Sequence, residues 1–166
     1  DFTAGHSLGE YAALAAAGSI SIADGARLLR LRGDAMQSAV AVGEGAMAAI
    51  LGAEEATIDE IVAAAGEAGV VQLANDNAPG QIVISGSLEA VDRAMEIARD
   101  KGLRKVIKLP VSAPFHCDLR APAADAMAAA LADVAFADAA LPVFCNVTAA
   151  GEQVAGALMG NLITQV

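Results

Sequence analysis

The segment Gly5-His6-Ser7-Leu8-Gly9 has a residue pattern that suits acyl chemistry. Its G-x-S-x-G form is typical of a nucleophile elbow, a sharp turn from a strand to a helix that exposes a serine hydroxyl. We expect Gly5 and Gly9 to permit the tight turn, because neither has a Cβ atom. At the N-terminus of the following helix, unpaired amides would favour the oxyanion that forms when Ser7 attacks an acyl group.

The sequence contains two histidines, His6 and His116, and either could be the general base for this serine. His6 adjoins Ser7, and adjacent side chains at such a turn point in different directions, so we expect a structural or supporting role for His6. His116 follows a predicted strand in the loop 112–116, where rigid scaffolds tend to present functional groups. An unaided serine hydroxyl is a weak nucleophile at neutral pH, which favours His116 as the general base.

A second cationic group, Arg32, lies on a predicted helix that begins after the cap Ser21, with Asp24 as the capping-box acid, and ends near residue 41. Arg32 falls on the apolar face of this helix, among Leu28, Leu31, Ala35, Met36 and Ala39. A desolvated guanidinium needs an anion. One interpretation is a buried salt bridge to one of the 20 acidic residues. The other is a fork that holds a substrate carboxylate through two parallel hydrogen bonds.

Alternating strand and helix patterns predict an α/β fold that would position these residues. We expect a helix over 8–17 that ends at Gly18. Further helices are expected over 54–68, 87–101, 122–134 and 154–165. Strands are expected over 46–51, 70–74, 81–85, 104–110 and 142–147, with a loop over 75–80. The order β-α-β-β-α-β between 46 and 110 is that of a ferredoxin-like unit. The expected organisation is a core of 1–43 and 112–166 with a subdomain inserted at 44–111.

Both ends of the chain suggest an internal piece of a larger domain. An elbow needs a buried strand before it, and the four residues 1–4 are barely enough for one. The predicted helix 154–165 has no cap after it. We therefore expect the fold to be truncated at both ends.

Composition excludes several functional classes. With 166 residues, of which 56% are hydrophobic, the chain can bury a core of its own. The net charge of −10 argues against nucleic-acid binding. Apolar runs are too short for a membrane span, and no signal peptide is evident. Cys117 and Cys145 fit neither a zinc nor a redox motif, so we expect a reducing, cytoplasmic setting and no metal.

A set of motifs, in this order, resembles the malonyl-CoA:acyl carrier protein transacylases of bacterial fatty acid synthesis. The motifs are Gly5-His6-Ser7-Leu8-Gly9-Glu10-Tyr11, Leu31-Arg32-Gly33 with Met36-Gln37, Gly45-Ala46-Met47-Ala48-Ala49-Ile50, Asn77-Ala78-Pro79-Gly80-Gln81 and Ser112-Ala113-Pro114-Phe115-His116-Cys117. The resemblance covers essentially the whole chain. It implies an α/β-hydrolase-like core with a ferredoxin-like insert, in agreement with the predicted order of elements.

The resemblance also implies roles for single residues. Ser7 would be the acylated nucleophile, His116 the base, Arg32 the clamp on the malonyl carboxylate, and the Leu8 amide an oxyanion donor. The backbone carbonyl of Gln165 would orient the histidine. Met36, Asn77, Phe115 and His6 would lie at the substrate site, with Phe115 limiting bulk at the substrate's α-carbon. Malonyl-CoA would be the substrate, without a cofactor.

Two family segments have no counterpart here. A glycine- and glutamine-rich N-terminal segment, which supplies a second oxyanion donor, and a C-terminal Pro/Arg-Val-x-Trp pattern are both missing from the sequence. Losing one oxyanion donor typically costs about 10²–10³ in rate. We therefore expect these 166 residues alone to turn over poorly or not at all.

The acidic chain carries most of its basic residues in one stretch. Positions 33–92 contain no lysine or arginine, whereas six follow closely: Arg93, Arg99, Lys101, Arg104, Lys105 and Lys108. These cations could form a docking surface for an acidic carrier protein. They could equally be ordinary basic residues that end a helix and coat an edge strand.

Two other functions remain open on the sequence. A serine esterase or thioesterase would share the elbow and take an acid from Asp76 or Asp92, although neither clearly follows a core strand and Arg32 would then have no role. A non-catalytic remnant that only binds carrier protein would keep the fold without the reaction. Acyl transfer measured against hydrolysis separates the transferase from the esterase. A malonyl adduct on Ser7 separates an enzyme from the non-catalytic remnant.

Overall fold

The computed structural model describes residues 1–111 and 113–166, and within them the chain forms seven strands and six α-helices. Ser112 lies outside the described residues. The strands are β1 Thr3–Ala4, β2 Gly45–Leu51, β3 Val71–Ala78, β4 Gln81–Ser87, β5 Lys105–Lys108, β6 Val143–Phe144 and β7 Gly151–Glu152. The helices are α1 Gly9–Ala16, α2 Ile22–Ser38, α3 Glu55–Ala65, α4 Leu88–Asp100, α5 Ala121–Ala132 and α6 Ala155–Thr164. Short 3₁₀ turns cover Gly66–Ala68 and Asp118–Arg120. The predicted α/β class is confirmed.

The chain divides into two compact units, one of residues 1–35 and 122–166 and the other of residues 36–121. The first unit contains a small sheet in the order β1-β6-β7. Strand β1 runs parallel to β6, with Thr3 opposite Val143 and Ala4 opposite Phe144, and β6 runs antiparallel to β7. Apolar residues of the surrounding helices, such as Leu14, are fully buried.

The second unit is a four-stranded sheet with two helices. Its strand order is β3-β4-β2-β5, and every neighbouring pair is antiparallel. Alternate residues of a strand point to the same face. In β2 these are Ala46, Ala48 and Ile50, which join a core cluster with buried residues of α3 and α4. The strand and helix order within this unit is the predicted one.

Two strands, β3 and β6, differ most from the expected bounds. The residues expected as a loop over 75–80 continue β3 as far as Ala78, with irregular register after Leu73 and after Asp76. Antiparallel pairing with β4 therefore overrides the loop preference of Asn75 and Asp76. Strand β6 is shorter than the predicted 142–147, because the chain turns after Phe144 and pairs with β7, which the sequence did not reveal.

Helix α2 confirms its predicted start. The Ser21 Oγ accepts a hydrogen bond from the Asp24 amide at 3.0 Å and donates one to the Asp24 carboxylate at 2.7 Å. The helix ends at Ser38, three residues before the expected end. Leu31 was expected on the buried face but is 39% exposed, whereas Leu28 and Arg32 are buried as predicted. Among the described residues, no helix is both long and apolar enough to cross a membrane.

Candidate active site

The predicted elbow forms a strained turn between β1 and α1. Ser7 has a φ of 51°, a left-handed conformation that L residues rarely adopt. Gly5 makes this turn possible, because a Cβ at that position would lie 2.0 Å from the Gly9 carbonyl oxygen. Gly9 does not share this role: a Cβ there would meet no atom within 4 Å. Of the two glycines in the motif, only the first is required by close approach.

The Leu8 amide lies at the exposed N-terminal end of α1. Leu8 is the cap residue of α1, and its side chain is 59% exposed. The amides of Gly9, Glu10 and Tyr11 bond to carbonyls in the turn, at 2.9 to 3.3 Å. The Leu8 amide has no acceptor among the described residues. It is therefore available to a developing negative charge beside Ser7.

Arg32 contacts the serine directly. Its Nη2 donates a hydrogen bond to the Ser7 Oγ at 2.9 Å, and its Cζ lies 6.0 Å from the centre of the Tyr11 ring. The residue is only 6% exposed, and its Nε has no hydrogen-bond partner among the described residues. No carboxylate within the described ranges forms a salt bridge with it. One of the two interpretations of Arg32 was a buried salt bridge, and the described residues contain none.

Burial sets the electrostatics around Arg32. It lowers the pKa of the Arg32 guanidinium, and the nearby Tyr11 and Glu10 oppose that shift. An arginine nevertheless stays protonated at physiological pH. Burial also raises the pKa of Tyr11 to about 12, so the phenol is neutral beside the guanidinium. A positive charge therefore stands next to the serine hydroxyl.

Sequence analysis assigned no role to Asn146 or Glu10, and both stabilise the elbow through hydrogen bonds. The Asn146 Oδ1 accepts a hydrogen bond from the Ser7 amide at 2.9 Å, and its Nδ2 donates to the Gly5 carbonyl at 2.8 Å. Glu10 is fully buried, and its Oε2 accepts from the Asn146 amide at 2.8 Å and from the Asn146 Nδ2. Glu10 shares the buried face of α1 with Leu14, four residues on. A charge on an apolar helix face, the signal that marked Arg32, would have found it.

A surface pocket adjoins this turn in the first unit. It is lined by Ala4, Gly5, His6, Phe144, Cys145, Asn146 and Ala149. His6 is exposed, and its carbonyl accepts a hydrogen bond from the Gly9 amide at 2.9 Å. Burial raises the pKa of the Cys145 thiol to about 11, which makes it unreactive at neutral pH.

His116 lies on an anchored loop of the second unit and also has a left-handed backbone, with a φ of 56°. Gly45 allows the loop to approach, because a Cβ there would lie 2.3 Å from the Pro114 ring. The Phe115 amide donates to the Met47 sulfur at 3.4 Å. Of the three non-glycine residues with positive φ in the described ranges, two are therefore the predicted nucleophile and the predicted base.

Arg120, which the sequence did not single out, secures the same loop. Its Nε donates to the Pro114 carbonyl at 2.6 Å, and its Cζ lies 5.2 Å from the centre of the Phe115 ring. Just after the loop, Gln72 and Asp118 exchange two hydrogen bonds, at 2.7 and 2.8 Å. Rigid support of this kind is what a catalytic side chain requires.

The remaining predicted residues are distributed over both units. Met36 is buried near the end of α2, and Asn77 is exposed on β3. Gln165 is buried directly after α6, and its amide donates to the Asn161 carbonyl at 3.1 Å. In the described residues, no group of three or more His, Cys, Asp or Glu side chains is placed to hold a metal ion.

Comparison with known proteins identifies the family. Residues 1–160 match the model of the acyl transferase domain. The chain belongs to this family. The malonyl CoA-acyl carrier protein transacylase of Bacillus subtilis is 49% identical to this acyl transferase domain over 150 residues, which are 90% of the chain and 47% of that protein. The resemblance inferred from the motifs is thus confirmed.

Solved structures of similar proteins have the same fold as this acyl transferase domain. The crystal structure of acyl-carrier-protein-S-malonyltransferase from Bartonella henselae is 51% identical, with a TM-score of 0.96, over 100% of this chain and 53% of that one. A malonyl-transacylase solved in complex with its type II PKS acyl-carrier protein is 42% identical, with a TM-score of 0.95, over 99% of this chain and 53% of that one. The chain spans about half the length of the relatives it matches.

Proposed function

We propose that this chain carries the nucleophilic centre of a malonyl-CoA:acyl carrier protein transacylase acting in fatty acid synthesis. The observation that carries the proposal is the buried Arg32 guanidinium, which donates to the Ser7 hydroxyl at 2.9 Å and has no carboxylate partner among the described residues. A neutral acyl group offers such a cation no anionic partner. A malonyl group ends in a carboxylate, which a guanidinium can hold with two hydrogen bonds.

In the proposed reaction, His116 takes the proton of the Ser7 hydroxyl as the oxygen attacks the thioester carbonyl of malonyl-CoA. The Leu8 amide donates to the oxyanion of the tetrahedral intermediate. Collapse of this intermediate breaks the carbon–sulfur bond, and CoA leaves with the proton from His116. The phosphopantetheine thiol of the carrier protein then gives its proton to His116 and attacks the malonyl-serine ester. The carbon–oxygen bond to Ser7 breaks, and the serine oxygen takes the proton from His116.

The remaining predicted site residues support these steps. We assign the Gln165 backbone carbonyl to orient His116, and Met36, Asn77, Phe115 and His6 to the substrate site. Phe115, next to the proposed base, would disfavour a substituent on the α-carbon, as in methylmalonyl. No cofactor is needed, because the reaction exchanges one ester or thioester for another.

We assign the fold to an α/β-hydrolase-like core of 1–43 and 112–166 with a ferredoxin-like subdomain of 44–111. The subdomain assignment is supported by the antiparallel order β3-β4-β2-β5, joined by a helix after β2 and another after β4. We place the protein in the cytoplasm, where malonyl-CoA would meet a carrier protein.

The carrier protein is proposed to dock on the basic residues of 93–108. Three of these six cations are neutralised in part by acidic neighbours: Arg93 by Glu96 at 3.1 Å, Lys101 by Glu60 at 2.7 Å and Lys108 by Asp92 at 2.6 Å. Arg99, Arg104 and Lys105 have no ion pair among the described residues. These three are therefore the favoured contacts for acidic side chains of a carrier protein.

The test is a comparison of transfer with hydrolysis. The full-length protein is incubated with malonyl-CoA, with and without carrier protein bearing phosphopantetheine, and malonyl-carrier protein and free malonate are quantified by mass spectrometry. We expect transfer to exceed hydrolysis and to disappear in Ser7→Ala. Malonate as the main product would favour an esterase or thioesterase, and carrier-protein binding without either product would favour a non-catalytic module.

A further inference from the structure

Asn146 bridges the two sides of the serine turn with one side chain. Its carboxamide accepts from the Ser7 amide at 2.9 Å and donates to the Gly5 carbonyl at 2.8 Å. Two residues earlier, the backbone of β6 stops pairing with β1, since the ladder ends with Ala4 opposite Phe144. The Asn146 side chain thus continues the pairing of β1 beyond the point where the strands separate.

Glu10 fixes the orientation of this carboxamide. The Asn146 Nδ2 faces two acceptors, the Gly5 carbonyl and the Glu10 carboxylate, which leaves the Oδ1 to face the Ser7 amide. A flipped amide would set donor against donor at Ser7. The Glu10 carboxylate also binds the Asn146 backbone amide at 2.8 Å, and it is favoured in the first turn of α1 by the helix dipole.

We propose that Asn146 is a positioning residue for the nucleophile and that Glu10 holds it in place. The pair stabilises the left-handed backbone of Ser7, whose φ is 51°. The backbone angles at Ser7 set the direction of both its hydroxyl and the following Leu8 amide. One side-chain amide therefore places the nucleophile and the oxyanion donor together. The inference rests on the proposed role of Ser7.

The experiment measures the reactivity of Ser7 with a fluorophosphonate probe that carries neither an acyl group nor CoA. The serine oxygen attacks phosphorus, fluoride leaves, and the hydroxyl proton passes to the base. In the full-length protein, we expect Asn146→Ala and Asn146→Asp to lower the labelling rate constant about 10²-fold, because small displacements of a nucleophile have effects of this size. A carboxylate at position 146 keeps the acceptor for Ser7 but faces Glu10 and loses both donated bonds.

A double-mutant cycle tests the role of Glu10. The Glu10 Oε2 accepts from both the Asn146 backbone amide and the Asn146 Nδ2, so Glu10→Ala removes both bonds. If Glu10 acts through Asn146, Glu10→Ala should slow the labelling of the wild-type protein but have little further effect in Asn146→Ala. A merely structural role would make the two losses additive, and it would not leave the KM for malonyl-CoA unchanged while kcat falls.

The matched control is Gln153→Glu, which also replaces a side-chain amide that donates to a backbone carbonyl, that of Ala139 at 3.0 Å. Among the described residues, Gln153 has no hydrogen bond to the elbow, so Gln153→Glu should label at the wild-type rate. The proposal is overturned if Asn146→Asp labels as fast as Gln153→Glu, or if the losses in Glu10→Ala and Asn146→Ala add fully in the double variant. If the wild-type protein is labelled at Ser7 but transfers no malonyl group, only the proposed function is contradicted.

Discussion

Arg32 is the residue that separates a malonyl transferase from a general serine esterase in this account. Its guanidinium is buried, bonded to the Ser7 hydroxyl and held over the Tyr11 ring. Removing a charged group that binds the substrate carboxylate should weaken transition-state binding by about 1.5–3 kcal/mol. A neutral acyl-CoA makes no such bond and should lose little.

The first prediction concerns substrate preference. Arg32→Ala in the full-length protein should lower kcat/KM for malonyl-CoA about 10- to 100-fold relative to acetyl-CoA. Arg30→Ala is the matched control, because this arginine lies on the same helix with an exposed side chain paired to Asp34 at 2.9 Å. Unchanged malonyl selectivity in Arg32→Ala would count against the clamp.

The second prediction concerns Tyr11 and alkaline pH. Its pKa is raised from 10.0 to about 12 in the folded chain, chiefly by burial. The raised pKa contributes to the free energy of unfolding in full below pH 10. This contribution is lost as the pH rises from 10 through 12, because the tyrosine of the unfolded chain ionises first. The full effect is about 2–3 kcal/mol.

Urea unfolding of Tyr11→Phe and wild type between neutral pH and pH 11 checks this. The Tyr11 hydroxyl has no hydrogen-bond partner among the described residues, so the substitution should cost little at pH 7. The free energy of unfolding of wild type should fall relative to the variant above pH 9.5 or so. Parallel curves for the two proteins would show that the phenol ionises as readily in the folded chain as in the unfolded one.

The elbow illustrates what a motif does and does not specify. Both glycines fit the pattern, yet only Gly5 faces backbone at a distance that excludes a side chain. Gly5→Ala should therefore cost about 3 kcal/mol or more and abolish labelling of Ser7. Gly9→Ala, at the first residue of α1, should be neutral or stabilise by at most about 1 kcal/mol. Thermal unfolding and Ser7 labelling measure both, and similar losses in the two variants would contradict this assignment.

Sequence patterns predicted the elements where hydrophobic periodicity and caps agree. Helix α4 and strand β2 fall within a residue or so of their expected bounds, and Ser21 caps α2 as expected. Patterns failed where a long-range partner decides. Asn75 and Asp76 are typical loop residues, but β4 pairs with them and extends β3. No local signal marks β7, which is a strand only because β6 lies beside it.

The same limit applies to the site. Ser7, Arg32 and His116 were predicted because their chemistry is rare on a turn, an apolar face or a loop. Asn146 carries no such signal in the sequence, since it lies 139 positions from the serine amide that it binds. Only the pairing of β1 with β6 brings its side chain to the elbow.

Charge is the main feature of the molecule as a whole. Against a net charge of −10, the basic stretch 93–108 keeps three cations without ion pairs in the described residues, namely Arg99, Arg104 and Lys105. An acidic carrier protein would be repelled by most of the surface and attracted there. The strength of that attraction should fall with added salt.

The charge-reversal variant Arg104→Glu/Lys105→Glu tests this surface. We expect its KM for the carrier protein to rise about tenfold and its KM for malonyl-CoA to stay unchanged, because the proposed docking surface serves the carrier protein alone. Arg27→Glu/Arg30→Glu changes the net charge equally, on helix α2, and should leave both constants unchanged. Equal increases for both substrates in the first variant would remove the docking proposal.

The most direct measurement is the site of covalent modification. The full-length protein is mixed with malonyl-CoA, quenched in acid, digested and analysed by tandem mass spectrometry, with Ser7→Ala in parallel. We expect a malonyl ester on the peptide that contains Ser7, lost when carrier protein is added and absent from the variant. An unmodified Ser7, or a malonyl group on another residue that persists in Ser7→Ala, would contradict it.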